Sequence, residues 1–342
     1  MKSPQDVSII LPTYNREAFL PQAFASITSQ TLGNWRLIVV DDGSTDGTRD
    51  LVEDFASQCG RPVSYRHQEN RGAYSARNRG LDQADTNYVA FFDSDDVWLP
   101  QYLERCVTAL EQVPELDWIY APCRMVEIAT GRLIRESTFF WEGRPKPFMR
   151  LKTRTVEGVH VIEDSGAMTC HLLHGLASGL QNSVMRRSVF DKLRFNEESR
   201  VIDDQHIVVR ALAAGLRFGY LTDPLVIYNV HEDNSSGSAT KLSVQKVIDI
   251  SREMVLGLEQ LRADLALTTG QRRALDRRLS SEYFWSLGYN GLWQAGRGRE
   301  ALQAFRRSLS LWPWAPTRWK TYLLAWIRVQ VSDRRRTVPD KV

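Results

Sequence analysis

From Val7 to about Tyr120 the chain alternates short β-rich apolar runs with helix-length amphipathic stretches, and this alternation constrains its fold more than any other feature. Val7-Ser8-Ile9-Ile10-Leu11, Leu37-Ile38-Val39-Val40, Val63 to His67 and Tyr88-Val89-Ala90-Phe91-Phe92 read as strands. Runs that are apolar throughout, such as the second, suit strands covered on both faces. Between them, about Glu17 to Gln30, Asp46 to Ser57 and Tyr74 to Ala84 carry helical spacing. A further helix is expected from Pro100 to about Gln112 and a strand from Asp117 to Pro122. The order predicts an α/β, Rossmann-like domain with a mainly parallel sheet and helices on both faces.

Beyond Arg124 the pattern weakens. Residues 124–179 mix Gly, Pro, Thr and scattered charge without a clear period, and a mobile segment is expected there. Order returns with a strand at Gln181–Met185, a helix over Ile202–Ala214 and a strand pair from Phe218 to Asn229 broken at Asp223-Pro224. The polar run from His231 to Ser238 suggests a boundary, giving an α/β domain over 1–240 and an all-α region over 241–342. Charge divides at the same place. The net charge is only +3, but residues 241–342 hold 19 Lys and Arg against 9 Asp and Glu, while the rest holds 25 against 32. Six of the ten tryptophans also fall in the basic part.

Composition removes several classes. With 43% hydrophobic and 25% charged residues the chain has material for a core, which excludes wholesale disorder. No apolar run reaches the ~18 residues of a membrane-spanning helix. The start lacks the charged-then-apolar pattern of a secretory signal, and the four cysteines form no CxxC pair, so a reducing cytoplasm is expected.

Ligands of an open parallel sheet bind beyond the carboxyl ends of its strands. Two strand ends here carry acids on that edge, Asp41-Asp42-Gly43-Ser44-Thr45-Asp46-Gly47 and Asp93-Ser94-Asp95-Asp96. Clustered carboxylates repel one another unless a cation intervenes, and hard divalent ions such as Mn²⁺ or Mg²⁺ join carboxylates to phosphates. Turn and helix-cap roles account for either segment alone better than for both together.

These segments, with Pro12-Thr13-Tyr14-Asn15-Arg16, Asn70-Arg71-Gly72 and Ser75-Ala76-Arg77-Asn78-Arg79-Gly80, resemble family 2 glycosyltransferases of the GT-A fold over roughly residues 5–235. The resemblance implies that Pro12 and Tyr14 line the nucleotide base, that Asp42 hydrogen-bonds it, and that Arg71 approaches the diphosphate. Asp93-Ser94-Asp95 matches the family's Asp-x-Asp signature. Asp93 would face the ribose and metal, Asp95 would ligate the metal, and Asp96 is a substitute ligand. His231 matches a histidine that completes the metal site in some members. Arg77 and Asn78 fit helix packing and capping as well as a ligand role.

The family also places an acid pair before a helix bearing an Arg six residues on. Ile202-Asp203-Asp204-Gln205-His206 with Arg210 fits, although Asp203 stands where Glu is usual. The implied catalytic base is Asp204, with Asp203 beside it, and an Asp opening the helix as a cap is compatible with that role. His171 and His174 lack an acidic partner at metalloprotease spacing and suit helix surface or packing.

The implied function is an inverting, Mn²⁺- or Mg²⁺-dependent transfer from a nucleotide-sugar, UDP-linked, to a glycan or lipid-linked acceptor in cell-surface polysaccharide synthesis. The alternative is a nucleotide-sugar-binding or scaffold protein without transferase activity, which would need no base. A pyrophosphorylase or a dinucleotide dehydrogenase expects a Gly-rich loop where Pro12-Thr13-Tyr14 stands. In the tail, Leu287-Gly288, Ala295-Gly296, Ala301, Phe305 and Pro313 resemble one tetratricopeptide-like hairpin. Tryptophans among cations there suit peripheral association with an anionic membrane surface as well as a helical core with solvated arginines. The acidic first 240 residues argue against nucleic acid.

Overall fold

A computed structural model describes residues 6–199, 202–231, 234 and 242–337, with side chains through residue 331. The chain divides into two compact units, Met1–His231 and Glu232–Val342. The boundary expected at residue 240 lies outside the described residues.

The first unit is built on a nine-stranded sheet. Strands β1 (Val7–Thr13), β2 (Trp35–Asp41), β3 (Val63–His67) and β4 (Tyr88–Phe91) lie side by side in the order β4-β1-β2-β3, all parallel. Helices α1 (Leu20–Thr28), α2 (Thr48–Gln58) and α3 (Ala73–Gln83) supply the crossovers, each close to its expected span. The pleat sends alternate side chains to opposite faces, and both faces are apolar here. Val7, Ile9, Leu11, Leu37 and Val39 enter one core cluster, while Ile10, Ile38 and Val40 enter the other.

Past β4 the sheet becomes mixed. Ser183–Arg186 inserts antiparallel between β4 and Trp118–Tyr120, and Phe218–Tyr220 then runs parallel to the latter. The hairpin of Thr153–Val156 and Val159–Ile162 closes that edge. Four of the eight neighbouring pairs are parallel, all but one of them within the β/α part. The break at Asp223-Pro224 separates Phe218–Tyr220 from Val226–Val230, which joins a second sheet beside Cys123–Glu127 and Val97–Trp98.

The weakly patterned stretch 124–179 contains short strands, a hairpin turn at Glu157-Gly158 and a helix at Ala167–His174. Strands of two to five residues with half-exposed faces carry too little periodicity to stand out in sequence.

The second unit is helical: Val244–Asp264, Thr269–Ser281, a π-type turn series over Glu282–Trp293, Gly298–Leu311 and Pro316–Thr337. Thr268 and Gln271 form a reciprocal capping box at the second of these. Phe305 packs on Phe284 with ring centroids 4.5 Å apart, and Ser280 and Ser308 each donate to the other's carbonyl at 2.9 and 2.6 Å. Glu282–Trp293 and Gly298–Leu311 thus pack on each other, and a tetratricopeptide-like repeat is not confirmed. No helix among the described residues is long and apolar enough to cross a membrane.

Helix α3 lies unusually close to the sheet because Gly80 faces β1. A Cβ at Gly80 would stand 2.4 Å from Ile10 Cγ2, inside a fully buried layer. Gly80→Ala is therefore expected to destabilise the protein by about 1–3 kcal/mol through overpacking. Urea denaturation monitored by circular dichroism measures it, and an unchanged midpoint would contradict the close approach.

Candidate active site

The carboxyl ends of β1, β2 and β4 and the loops that follow them form one edge of the first unit. The loops after β1 and β2 are laced together. Asn15, at φ 50°, donates its amide to the Ser44 hydroxyl at 2.8 Å, and its Oδ1 accepts the Thr45 amide at 2.9 Å. Asp46 accepts the Glu17 amide at 3.1 Å, and Glu17 accepts the Gly47 amide at 3.0 Å. Pro12 is half-buried at the end of β1, and Tyr14 is 48% exposed beside it.

Asp42 is 4% exposed and ties β2 to the loop leading into α3. Its Oδ1 accepts from Gln68 Nε2 at 2.7 Å and the Arg71 amide at 2.8 Å, and its Oδ2 accepts the Gly72 amide at 2.7 Å. Gly72, at φ 94°, supplies the left-handed turn that opens α3. Asp42 thus visibly fixes the loop that carries Arg71. The Arg71 side chain pairs with Glu197 at 3.0 Å.

Helix α3 presents Tyr74, Arg77, Asn78 and Leu81 on one buried face, at i, i+3, i+4 and i+7. Asn78 donates to the Phe195 carbonyl at 2.9 Å and to Glu197 at 3.0 Å, and accepts the Phe195 amide at 3.0 Å. Ser75 also donates to Glu197, at 2.9 Å. Asn78 and these neighbours hold the Glu197 carboxyl below its ordinary range. Two polar α3 residues therefore anchor the segment that leads to the next candidate site residues.

Those residues open the helix Asp203–Ala213. Asp203 is 1% exposed; Arg210 Nη2 reaches its two oxygens at 2.8 and 2.9 Å, and the Asn196 amide donates at 2.7 Å. Burial pushes the Asp203 carboxyl up, and Arg210 and Asn196 pull it back. Asp204 is half-buried, accepts the Gln205 amide at 2.8 Å, and its own amide donates to Tyr74 Oη at 3.2 Å. Burial pushes the Asp204 carboxyl up to about 6; Arg77 opposes the rise, and Asp93 and Asp203 add to it.

Arg77 is the link that sequence reasoning left open. Its guanidinium is 10% exposed, donates to Asp93 Oδ1 at 2.7 Å, stacks 5.3 Å from the Tyr74 ring and feels the Asp204 charge. The signal was present: a cation at a core-facing position of an otherwise apolar helix stripe requires a buried anion. Glu197 was missed altogether, because nothing in its neighbourhood marks an element.

The acids after β4 are held from the other side. Asn229, in Val226–Val230, donates its side chain to the Asp95 carbonyl at 2.7 Å and its amide to Asp96 Oδ1 at 3.2 Å. Two residues on, His231 Nε2 lies 3.1 Å from Asp95 Oδ2, and its ring packs 5.2 Å from Phe19. Asp96 is 2% exposed, and burial with repulsion from Asp95 and Asp93 raises its carboxyl well above the usual range, towards the neutral form. Of the three aspartates it is the least accessible to an ion.

Among the described residues no group of three or more His, Cys, Asp or Glu side chains is arranged to hold a metal. Asp95 and His231 nonetheless converge, with Asp93 in the same loop. Mg²⁺ and Mn²⁺ sites commonly combine one or two carboxylates with substrate phosphates rather than a complete protein cage, so this donor set fits such an ion. His171 is buried, with its ring nitrogens on the Gln205 carbonyl at 3.1 Å and the Leu176 amide at 3.3 Å, and His174 is exposed. Both lie in packing or surface positions.

The family model described as glycosyl transferase family 2 matches residues 8–173. Over that span the chain is similar to family 2 glycosyltransferases. Asp203, Asp204 and His231 lie beyond the matched span. A relative described as an uncharacterized glycosyltransferase of Haemophilus influenzae is 28% identical over 287 residues, covering 81% of this chain and 88% of its own length. The Escherichia coli UDP-Glc:alpha-D-GlcNAc-diphosphoundecaprenol beta-1,3-glucosyltransferase WfgD is 38% identical over 104 residues, which are 30% of this chain and 40% of WfgD. Among solved structures, Staphylococcus aureus TarS 1–349 in complex with UDP-GlcNAc aligns at TM-score 0.64 and 20% identity, covering 90% of this chain and 81% of that one. The mannosyltransferase PcManGT from Pyrobaculum calidifontis, with GDP-Man and Mn²⁺, aligns at TM-score 0.54 and 19% identity, covering 99% and 90%. The structural likenesses establish the GT-A fold with its helical extension.

The raised Asp204 carboxyl has a consequence for stability. Unfolded, it would titrate near 3.8, so between about pH 4 and 6 the folded protein binds a proton that the unfolded chain has lost. This contribution is full below pH 4 and is lost as pH rises through 6. Asp204→Asn, which cannot ionise, is expected to gain about 2–3 kcal/mol over wild type at pH 8 and nothing at pH 4. Thermal melts at the two pH values read this difference, and an equal gain at both would show that the carboxyl is not strained.

Proposed function

We propose that the protein is an inverting, metal-dependent glycosyltransferase. It moves a sugar from a UDP-linked donor to a hydroxyl of a glycan or lipid-linked acceptor in cell-surface polysaccharide synthesis, working in the cytoplasm at the inner face of the membrane. The reading rests on one observation above the rest: Arg77 pairs with Asp93 on the donor side and feels the charge of Asp204 on the acceptor side. The acid read as donor-binding and the acid read as the base therefore neighbour the same guanidinium. The names of WfgD and of the TarS complex favour UDP as the nucleotide, and WfgD favours a lipid-diphosphate acceptor.

In this reading Pro12 and Tyr14 flank the base and Asp42 bounds its pocket. Arg71 leaves Glu197 to meet the diphosphate. Asp95, Asp93 and His231 would hold Mn²⁺ or Mg²⁺, which offsets the negative charge that gathers on the departing diphosphate. Asp204 accepts the proton of the acceptor hydroxyl as its oxygen bonds to the anomeric carbon. The bond from that carbon to the diphosphate oxygen breaks on the opposite face, and its electron pair leaves with the nucleotide. One displacement inverts the centre. A carboxyl near 6 is largely ionised at neutral pH yet more basic than an exposed aspartate, which suits a general base. Asp203 stays committed to Arg210 and Asn196 and supports its neighbour.

Two substitutions separate the halves of the site. Asp204→Asn should lower kcat by about 10²–10⁴-fold and leave UDP-sugar affinity intact. In wild type, kcat/KM should rise with pH through a limb near 6. Retained turnover in Asp204→Asn would move the base elsewhere. Asp95→Ala should weaken Mn²⁺-dependent donor binding by more than the roughly 10–100-fold that loss of an outer-shell partner costs. Calorimetry with UDP-, GDP- and dTDP-sugars, with and without Mn²⁺, tests both the nucleotide and the ion; equal affinities throughout would overturn both assignments.

A further inference from the structure

The last helix, Pro316–Thr337, carries its apolar side chains on the wrong face for a packed domain. Its inner face uses Ala325, which is 5% exposed, Tyr322, which accepts from Arg306 at 2.8 Å, and Arg318, which donates to the Ser280 hydroxyl. On the side away from these, Trp319, Leu323, Leu324, Trp326, Ile327 and Val331 are 41–53% exposed. At 100° per residue the six span about 160° of the helix. Trp314, just before the helix, is 82% exposed and extends the surface. Monomeric soluble proteins seldom leave such an apolar stripe uncovered, so the pattern marks an interaction surface. The alternative expected from sequence, that these aromatics form the core of the helical region, does not hold for this helix.

Charge identifies the partner. From Ala301 to Ser332 there is no acidic residue, while Arg306, Arg307, Arg318, Lys320 and Arg328 are present. Lys320 and Arg328 are exposed on the same helix as the apolar stripe. A two-fold dimer through this face would bring Lys320 and Arg328 of both copies together with no acid between Ala301 and Ser332 to answer them. An anionic surface meets the cations and the apolar stripe at once. Tryptophan, frequent here, favours the boundary between headgroups and acyl chains, and each cation near an anionic leaflet adds attraction.

We infer that the outer face of Pro316–Thr337 docks on an anionic lipid bilayer, lying in the plane of the interface with Trp319, Leu323, Leu324, Trp326 and Ile327 inserted. The inference rests on the reading of the protein as one that works at a membrane, and its test needs neither donor nor acceptor.

Full-length protein is sedimented with phosphatidylethanolamine–phosphatidylglycerol vesicles and with phosphatidylcholine vesicles, beside the triple variant L323S/L324S/I327S and the charge variant K320E/R328E. All three substituted apolar side chains are exposed, so circular dichroism should be unchanged. Wild type is expected to bind the anionic vesicles at least tenfold more tightly than the neutral ones. The triple variant should lose that binding on both, and the charge variant should lose the preference for anionic lipid. Undiminished binding of the triple variant overturns the assignment. So does a concentration-dependent dimer in light scattering that the triple variant abolishes while wild type ignores vesicles, since a second copy would then be the occupant. Failure of catalysis with intact vesicle binding would count against the transferase reading alone.

Discussion

The site depends on one buried cation. Arg77 sits on the core side of α3, where an unpaired guanidinium would be prohibitively expensive, and the surrounding acids make the position tenable. Asp93 supplies a direct hydrogen bond, and Asp204 supplies a longer-range charge. The same arrangement works in reverse, since Arg77 restrains the rise that burial would impose on Asp204. Two carboxylates from segments more than a hundred residues apart in sequence are thus held in a fixed electrostatic relation by a side chain that belongs to neither.

Around Arg77 the loops form a ring of mutual constraints. Asn15 and Ser44 join the loops after β1 and β2, Asp42 joins β2 to the Arg71 loop, and Glu197 joins that loop to the segment before Asp203. Asn229 and His231 then fasten the acids after β4, and Phe19 returns to the loop after β1. Many of these links are carboxylates accepting backbone amides or side-chain donors, which are stronger and more directional than neutral hydrogen bonds. An open sheet edge with mobile loops could not keep acids at fixed separations. A laced edge can, and the lacing explains why so many polar residues at this end are buried.

The β/α part was readable because β1, β2 and β4 are apolar on both faces and the helices carry one stripe, so period and composition agree with the final packing from β1 to Trp118–Tyr120. The antiparallel strand Ser183–Arg186 was visible as a strand, but its place beside β4 was not, because pairing partners are set by tertiary contacts. Residues 124–179 failed for a different reason: their strands are too short and too exposed for periodicity to register. At the site, the acids announced themselves by clustering at strand ends. Arg77 and Asn78 did not, because a helix stripe of Tyr74, Arg77, Asn78 and Leu81 shows that a polar partner must exist without saying which.

The adjacent acids Asp203 and Asp204 show how helical phase separates duties that sequence cannot. Successive residues on a helix point about 100° apart. At the first turn of Asp203–Ala213 that rotation turns Asp203 inward, to Arg210 and the Asn196 amide, and leaves Asp204 beside Tyr74 and within reach of the Arg77 charge. The first carboxylate is saturated and nearly inaccessible, committed to the ion pair that seats the helix. The second is half-buried and raised towards neutrality. A pair of identical side chains one residue apart therefore divides into a committed strut and a strained carboxyl, the one that the proposed reading makes the base.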